Sequence, residues 1–215
     1  MKHPVPQFVL VAVLALCASG CGASTAQTPA VIQPGAPGQA NRVLTPGAAA
    51  NQAIPAATGA DIKFMQGMIH HHAQALDMTE LLAERSQDAD MKKLGLRIHV
   101  SQTDEIKMMQ HWLEVRGQEV PGRHAHHMPG ATLMPGMLST EEMERLAAAK
   151  GPEFDRLFLE GMIKHHGGAL TMVKDLFATP GAGQQSEIFA FASDVEADQQ
   201  MEIDRMTAML KERMK

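Results

Sequence analysis

Residues 67–78 read GMIHHHAQALDM and residues 161–172 read GMIKHHGGALTM, so the chain states one phrase twice. Each position of the second copy lies 94 residues after its counterpart, as Met162 does after Met68. A repeat of this length, with imidazole and thioether side chains kept in place, indicates a structural unit that was duplicated together with its chemistry. We expect both the fold and the function to follow from this duplication.

The spacing inside the phrase predicts one face of a helix. At about 100° per residue, Met68, His71 and His72 share a broad face, whereas His70 points away from it. The counterpart of His70 is Lys164, which suits a position in solvent, so we expect His70 to be exposed. The inward-facing imidazoles are then His71, His72, His165 and His166.

Composition limits the class of protein. The 215 residues are 45% hydrophobic and 20% charged, which suits one globular domain with some unstructured sequence. Aromatic residues make up only 4%, so the core must be aliphatic and rich in the 17 methionines. A net charge of −5 without a basic stretch argues against nucleic acid as a partner.

The N-terminus predicts export and lipid anchoring. Lys2 and His3 precede an apolar run over residues 8–16, and small residues then lead to Cys21. We interpret residues 1–21 as a lipoprotein signal peptide with a lipobox, in which Cys21 is lipidated. The run is too short for an ordinary membrane-spanning helix. The alternative is ordinary signal cleavage near this site; either way, the protein is expected in the periplasm or at the cell surface.

The cysteine count restricts the chemistry of the mature protein. Cys17 leaves with the signal and Cys21 carries lipid, so the folded domain contains no thiol. A disulfide and a thiolate metal site are both excluded. Soft-metal chemistry would therefore need Met sulfur and His nitrogen, which persist in an oxidising compartment where thiols do not.

We divide the chain into the signal peptide, a flexible Ala/Pro/Gly-rich tether over residues 22–59 and a helical domain over residues 60–215. The domain contains repeat one (60–117), a linker (118–151) and repeat two (152–215). Two helical hairpins that each bury one face must cover each other. The sequence thus predicts an all-α, antiparallel four-helix bundle of ferritin-like shape, with a long central loop and a short crossover helix.

Capping residues, proline and the hydrophobic period predict where the helices begin and which faces they bury. Asp88 is a candidate N-cap, Ser139 opens a capping box, and Pro152 suits the first turn of a helix. The second and fourth long helices carry matching inward stripes, namely Ile98, Gln102, Glu105 or Ile106, Met109 and Leu113, and Val195, Gln199, Glu202 or Ile203, Met206 and Leu210. We expect core positions for Met201, Met206 and Met209.

The twice-stated pattern Met-Ile-x-His-His-x-x-Ala-Leu-x-Met, together with MLS at residues 137–139 and EFDRLF at 153–158, resembles the DUF305 family of exported bacterial proteins over residues 60–214. The resemblance implies a ferritin-like four-helix bundle. For members of the copper-resistance type it also implies binding of Cu(I) or Ag(I) through Met and His. Carried over residue by residue, it reaches Met68, His71, His72, Met78, Met162, His165, His166 and Met172.

The spacing of Met and His independently suggests metal ligands. Met at i with His at i+3 or i+4 lies on one helical edge, as in Met68 with His71 or His72, and in Met108 with His111. Thioether is a poor ligand for Zn(II), Mg(II) or Ca(II) and a good one for Cu(I) and Ag(I). We therefore predict Cu(I), with Ag(I) as a second candidate. The tract containing His126, His127 and Met128 fits a metal site and a solvated surface loop equally well.

Two other interpretations compete with ligation. A methionine stripe is often mere packing, and the four imidazoles could form a structural polar network with Gln102, Glu105, Gln199 and Glu202. A di-iron oxidase requires Glu three residues before His, and no histidine here has it, so we do not expect an enzyme.

We predict a lipid-anchored envelope protein that binds Cu(I) or Ag(I) for sequestration, tolerance or delivery, with an envelope copper-handling protein as a candidate partner. The alternative is a metal-free helical module that docks another envelope protein.

Overall fold

The computed structural model describes residues 31–33, 40–50, 56–122 and 133–213. The chain separates into two compact units that divide after Ala53. None of the described helices combines the length and the apolar character needed to cross a membrane.

The first unit contains a small hairpin. Strand β1 (Val31–Gln33) pairs antiparallel with β2 (Arg42–Leu44), which places Ile32 opposite Val43, and helix α1 (Pro46–Ala50) follows. The sequence predicted a flexible tether over residues 22–59, and the β-branched Val31, Ile32 and Val43 favour extended backbone where the hairpin forms. Ile32 and Val43, which lie opposite each other in this hairpin, are both exposed.

The second unit confirms the predicted all-α architecture. It contains the long helices α2 (Gly59–Arg85), α3 (Ala89–Glu114), α5 (Gly151–Ala178) and α6 (Ser186–Arg213), and the short helix α4 (Thr140–Ala148).

Local sequence signals set the helix starts. Asp88 caps α3 by accepting from the backbone of Asp90 and Met91, and Ser139 forms a capping box with Glu142 at the start of α4. The start of α2 was not foreseen in detail. There Thr58 and Asp61 form a second capping box.

Contacts at the helix ends show that neighbouring helices are antiparallel. Arg116, just after α3, forms an ion pair with Glu187 in the first turn of α6 at 2.6 Å, and Asp88 pairs with Arg213 at the other end of α6 at 2.6 Å. Asp61 at the start of α2 accepts from the backbone N–H of Gly183, beyond the end of α5, at 2.7 Å. Helix α3 therefore ends where α2 begins, and the connection to α5 must run the length of the bundle, as in ferritin-like folds.

The crossover segment, residues 133–139, lies directly on α2 and α5. The Gln74 side chain on α2 bonds both backbone groups of Leu138, donating to its carbonyl at 2.9 Å and accepting from its N–H at 2.7 Å. On α5, a Cβ added to Gly168 would lie 1.9 Å from the carbonyl oxygen of Pro135, and Gly136 has φ +75°. The glycines are required because the two backbones touch.

The core consists of two apolar clusters separated along the bundle axis. One contains Phe64, Met68, Met109, Trp112 and Phe191, and the other contains Met78, Leu82, Phe154, Phe158 and Met162. On every long helix, the polar members of the inward stripe fall between the two clusters. The bundle therefore has an apolar half at each end and a polar layer in the middle.

Two of the burial predictions were wrong. Met206 and Met209 are buried as expected, whereas Met201 is 53% exposed because it lies about 140° around the helix from Met206. His70 was predicted to be exposed and is half-buried. One turn earlier on the same helix, Met134 of the crossover segment lies 3.4 Å from the place of a Cβ on Gly67.

Candidate metal centre

The polar layer is built from equivalent residues of the two repeats. We call it the histidine layer and define it as His71, His72, Gln102, Glu105, His165, His166, Gln199 and Glu202. All four imidazoles are fully buried. Burying this many polar groups is costly unless each finds a partner, so their partners determine what the layer can do.

His71 and His165 meet where α2 crosses α5. Their ring centroids are 3.8 Å apart. The Nε2 of His165 donates to the carbonyl oxygen of His71 at 2.9 Å, and the Nε2 of His71 donates to the carbonyl oxygen of Pro135 at 3.0 Å. Because a carbonyl can only accept, Nε2 carries the proton in both rings, and Nδ1 of each neutral ring bears a lone pair.

The surroundings keep these two rings neutral. Burial, reinforced by the neighbouring His72, lowers the pKa of His71 to about 3. Burial, followed by repulsion from His71, lowers the pKa of His165 well below its ordinary value. A neutral imidazole with a bare lone pair is the form that ligates metals.

The second imidazole of each repeat pairs with a carboxylate. Nε2 of His72 lies 2.7 Å from Glu105, and Nε2 of His166 lies 2.7 Å from Glu202. Burial alone would raise the pKa of Glu105, yet hydrogen bonds from His72 and Ser101 hold that pKa below its ordinary value. Glu105 is therefore a carboxylate that fixes the ring of His72.

The other nitrogen of each buried ring lacks a partner. Nδ1 of His71, His72, His165 and His166 is buried without a hydrogen bond, as are both amide atoms of Gln102 and the Oε1 of Gln199. Buried polar atoms rarely go unpaired. In metal sites, a ligating imidazole typically donates its other N–H to a carboxylate or a backbone carbonyl, and all four rings here follow that pattern.

The thioethers of the repeated phrase lie within about two helical turns of the histidines in sequence, and three of the four are buried. Met68 and Met162 are fully buried, one turn before the histidines of their own repeat. Met78 is also buried, and its methyl would lie 3.3 Å from a Cβ on Gly161. Its counterpart Met172 is half-buried, and its methyl would lie 3.4 Å from a Cβ on Gly67.

Among the described residues, no three or more His, Cys, Asp or Glu side chains are grouped so that they could hold a metal ion. Thioether sulfur from the neighbouring methionines is a further donor type beside the layer, and it favours soft ions over hard ones.

The remaining candidates lie elsewhere. Met108 and His111 are exposed and line a surface cleft with Trp112 and Arg116, away from the histidine layer. The predicted lipidation site Cys21 and the candidate ligands His126, His127 and Met128 fall outside the described residues.

Sequence reasoning missed Gln74, Pro135 and Gly168, which hold the crossover segment over the layer. Gln74 and Gly168 occupy equivalent positions in the two copies of the phrase. The long polar side chain of Gln74 in one copy corresponds to a glycine in the other copy. This difference was the available signal that a segment outside the repeat contacts the two copies unequally.

Fold and site together define a class: a ferritin-like bundle of two repeated helical hairpins with buried, paired histidines and no thiol in its folded domain. The chain belongs to the DUF305 family, described as a "Domain of unknown function (DUF305)", and residues 61–210 match it.

Solved structures extend the relationship. A DUF305 fragment from Deinococcus radiodurans is 31% identical, with a TM-score of 0.63, over 74% of this chain and 99% of that one. A DUF305 protein from Streptomyces coelicolor, described as a candidate secreted protein, is 27% identical with a TM-score of 0.61 over 72% and 93%. CopM in its Cu(I)-bound form is 28% identical with a TM-score of 0.55 over 71% and 96%. CopM has also been solved bound to Cu(II) and to Ag.

An uncharacterised protein of Acanthamoeba polyphaga mimivirus is 36% identical over 56 residues, which are 26% of this chain. The match spans about a third of the viral protein's length, 37%.

Proposed function

We propose that this protein binds Cu(I), and also Ag(I), within the histidine layer, and that it sequesters or delivers the ion in the cell envelope. One observation carries the proposal: four fully buried imidazoles each commit Nε2 to a carbonyl or carboxylate and leave Nδ1 without a partner. The similarity to CopM, which has been solved with copper and with silver, supports this choice of ion.

In this proposal the ligands come from both repeats. Nδ1 of His71 and His165 supplies nitrogen, and the buried thioethers of Met68 and Met162 supply sulfur. These donors are neutral, so the charge of a buried cation must be balanced nearby. Glu105 and Glu202, through His72 and His166, bring that negative charge into the layer.

The donor set favours monovalent soft ions over Zn(II). Thioether stabilises Cu(I) and Ag(I) and contributes little to hard or borderline divalent ions. No step in this proposal transforms a substrate, and we propose a binding protein and not an enzyme. Export, with anchoring through lipid on Cys21, places the site where thiol ligands would be oxidised.

Competition against a Cu(I) chelator tests the proposal. The mature protein should withdraw Cu(I) from the chelator, and should not compete comparably for Zn(II). A variant with His71→Leu and His165→Leu should lose most of this competition. The matched control is His99→Ala, which removes a half-buried imidazole whose Nδ1 lies 3.0 Å from Thr79 Oγ1.

The outcomes separate the two functions. Retention of full competition by the double variant would remove the histidine layer from the site. Failure of the unaltered protein to compete at all would leave the structural polar network, and with it the metal-free interaction module, as the explanation of the buried histidines.

A further inference from the structure

The edge of α2 at Gly67 gathers soft donors that do not belong to the histidine layer. The Sδ of Met134, from the crossover segment, and the methyl of Met172, from α5, would each lie 3.4 Å from a Cβ on Gly67. Both methionines are half-buried, so solvent reaches them. His70 follows Gly67 by three residues and therefore lies on the same edge of the helix, also half-buried.

The second repeat supplies a natural comparison for this edge. Around Gly161, the equivalent of Gly67, a Cβ would meet Leu138 at 3.1 Å and the methyl of Met78 at 3.3 Å. The crossover segment thus contributes an apolar side chain at one glycine and a thioether at the other.

Position 164 shows the same contrast. Lys164 stands where the first repeat has His70, and its amine lies 2.7 Å from the Glu142 carboxylate on α4. The copies are therefore unequal, because only the edge at Gly67 combines two thioethers with an imidazole.

We propose that Met134, Met172 and His70 form a second, solvent-accessible Cu(I) or Ag(I) site at Gly67. Two thioethers and one imidazole are neutral soft donors, and a monovalent soft ion is the ion they suit best. Gly67 has no side chain, and the space a Cβ would occupy is where the two methionines approach the helix. The site rests on the proposed function for its choice of ion and is separate from it in position.

This site would be the first to meet an incoming ion. The side chains of Met134, Met172 and His70 are half-buried, although Nδ1 of His70 itself is buried, whereas the four imidazoles of the histidine layer are fully buried beneath the crossover segment that carries Met134. An ion held at Gly67 therefore lies between solvent and the layer. The edge at Gly161 lacks these donors. Of the two edges, the one at Gly67 is therefore the one at which a soft ion could be held on its way to the histidine layer.

Methyl NMR of the mature protein, labelled with ¹³C at the methionine methyl groups, tests the site with Ag(I), which is diamagnetic. The resonances of Met134 and Met172 should shift together within one added equivalent. The resonance of Met201, an exposed methionine on α6, should stay in place. Met134→Leu and Met172→Leu, made singly, assign the two signals while conserving side-chain volume.

Native mass spectrometry then counts ions. The Met134→Leu/Met172→Leu double variant should bind one Ag(I) fewer than the unaltered protein, and the Met201→Leu control should bind the same number. Shifts in other methionines with Met134 and Met172 unmoved would overturn this site and leave the proposed function standing. Absence of any Ag(I) binding would overturn both. The NMR titration uses the unaltered protein, so it tests the site even where a variant folds poorly.

Discussion

Each of the four buried imidazoles takes its orientation from an acceptor at Nε2. Two acceptors are backbone carbonyls, those of His71 and Pro135, and two are carboxylates, those of Glu105 and Glu202. Such outer partners fix the ring and raise its basicity as a ligand. The rings are thus held in fixed orientations without a metal, which would lower the entropic cost of the ion binding that we propose.

Removal of one carboxylate partner should therefore weaken Cu(I) binding without removing a ligand. Glu105→Ala leaves the Nε2–H of His72 without its acceptor, and we expect affinity to fall about 10- to 100-fold. Competition against a Cu(I) chelator measures the change. Asp104→Ala, an exposed neighbour that pairs with Lys107 across the surface, is the control and should leave affinity unchanged.

Because His71 and His165 are buried in their neutral form, we expect the stability of the metal-free protein to fall in acid. Their pKa values are lowered in the folded state, to about 3 for His71, so below about pH 6.5 the unfolded chain binds protons that the folded protein cannot. Stability is therefore fully present above that pH and falls as pH drops, by about 1.4 kcal/mol per pH unit for each such histidine.

Urea unfolding of the metal-free protein between pH 7 and pH 5 measures this slope. The variant with His71→Leu and His165→Leu should show a flatter dependence over the same range. A wild-type stability that does not change between these two values would contradict the assignment of neutral, buried rings.

At the scale of elements, the sequence predicted what depends on neighbours in the chain. The cap at Asp88, the capping box at Ser139 and the inward stripes follow from local chemistry and helical period. The path of the crossover segment does not follow from local chemistry, because distant residues hold it in place. Gln74 bonds Leu138, 64 residues later, and Gly168 contacts Pro135, 33 residues earlier. For the same reason the acceptor Pro135 and the edge at Gly67 could not be foreseen.

Two adjacent glycines in α5 test the seating of the crossover segment. Gly168→Ala would place a Cβ 1.9 Å from the Pro135 carbonyl oxygen, so either the helix or the crossover must move, and we expect a loss of at least about 2 kcal/mol in stability. Gly167→Ala has nothing within 4 Å and should stabilise the protein by about 0.5 to 1 kcal/mol, because alanine favours helix. Thermal unfolding of both variants gives the comparison, and equal melting temperatures would show that the crossover does not lie tightly on α5.

At the scale of the whole molecule, the repeat explains both the bundle and its polar middle. Each hairpin contributes one His–His pair, one Glu and one Gln at matching positions, and the apolar clusters close the layer from either end. The duplication was readable from the sequence, and so were Glu105 and Glu202 as candidate partners. The sequence could not determine which nitrogen of each ring remains bare, since this depends on tertiary hydrogen bonds.

The lipid anchor that we propose at Cys21 should be separable from the bundle. We expect Cys21→Ser to release an exported protein from membranes while leaving fold and Cu(I) binding intact. A soluble form made by truncation should begin near residue 56, because Thr58 caps α2 and its loss would cost about 1 kcal/mol. Cell fractionation followed by Cu(I) competition measures both properties. Full membrane retention of Cys21→Ser would contradict the lipid anchor.

The central claim, that the histidine layer binds Cu(I), is tested most directly by thermal melts with and without the ion. An ion that binds only the folded state stabilises it by mass action, by about 2.7 kcal/mol at a free concentration 100 times the Kd. We predict that Cu(I) raises the Tm of the unaltered protein clearly, and that it raises the Tm of the variant with His71→Leu and His165→Leu by much less, because only the separate site proposed at Gly67 is left to bind the ion. Equal stabilisation of the two proteins by Cu(I) would contradict the claim.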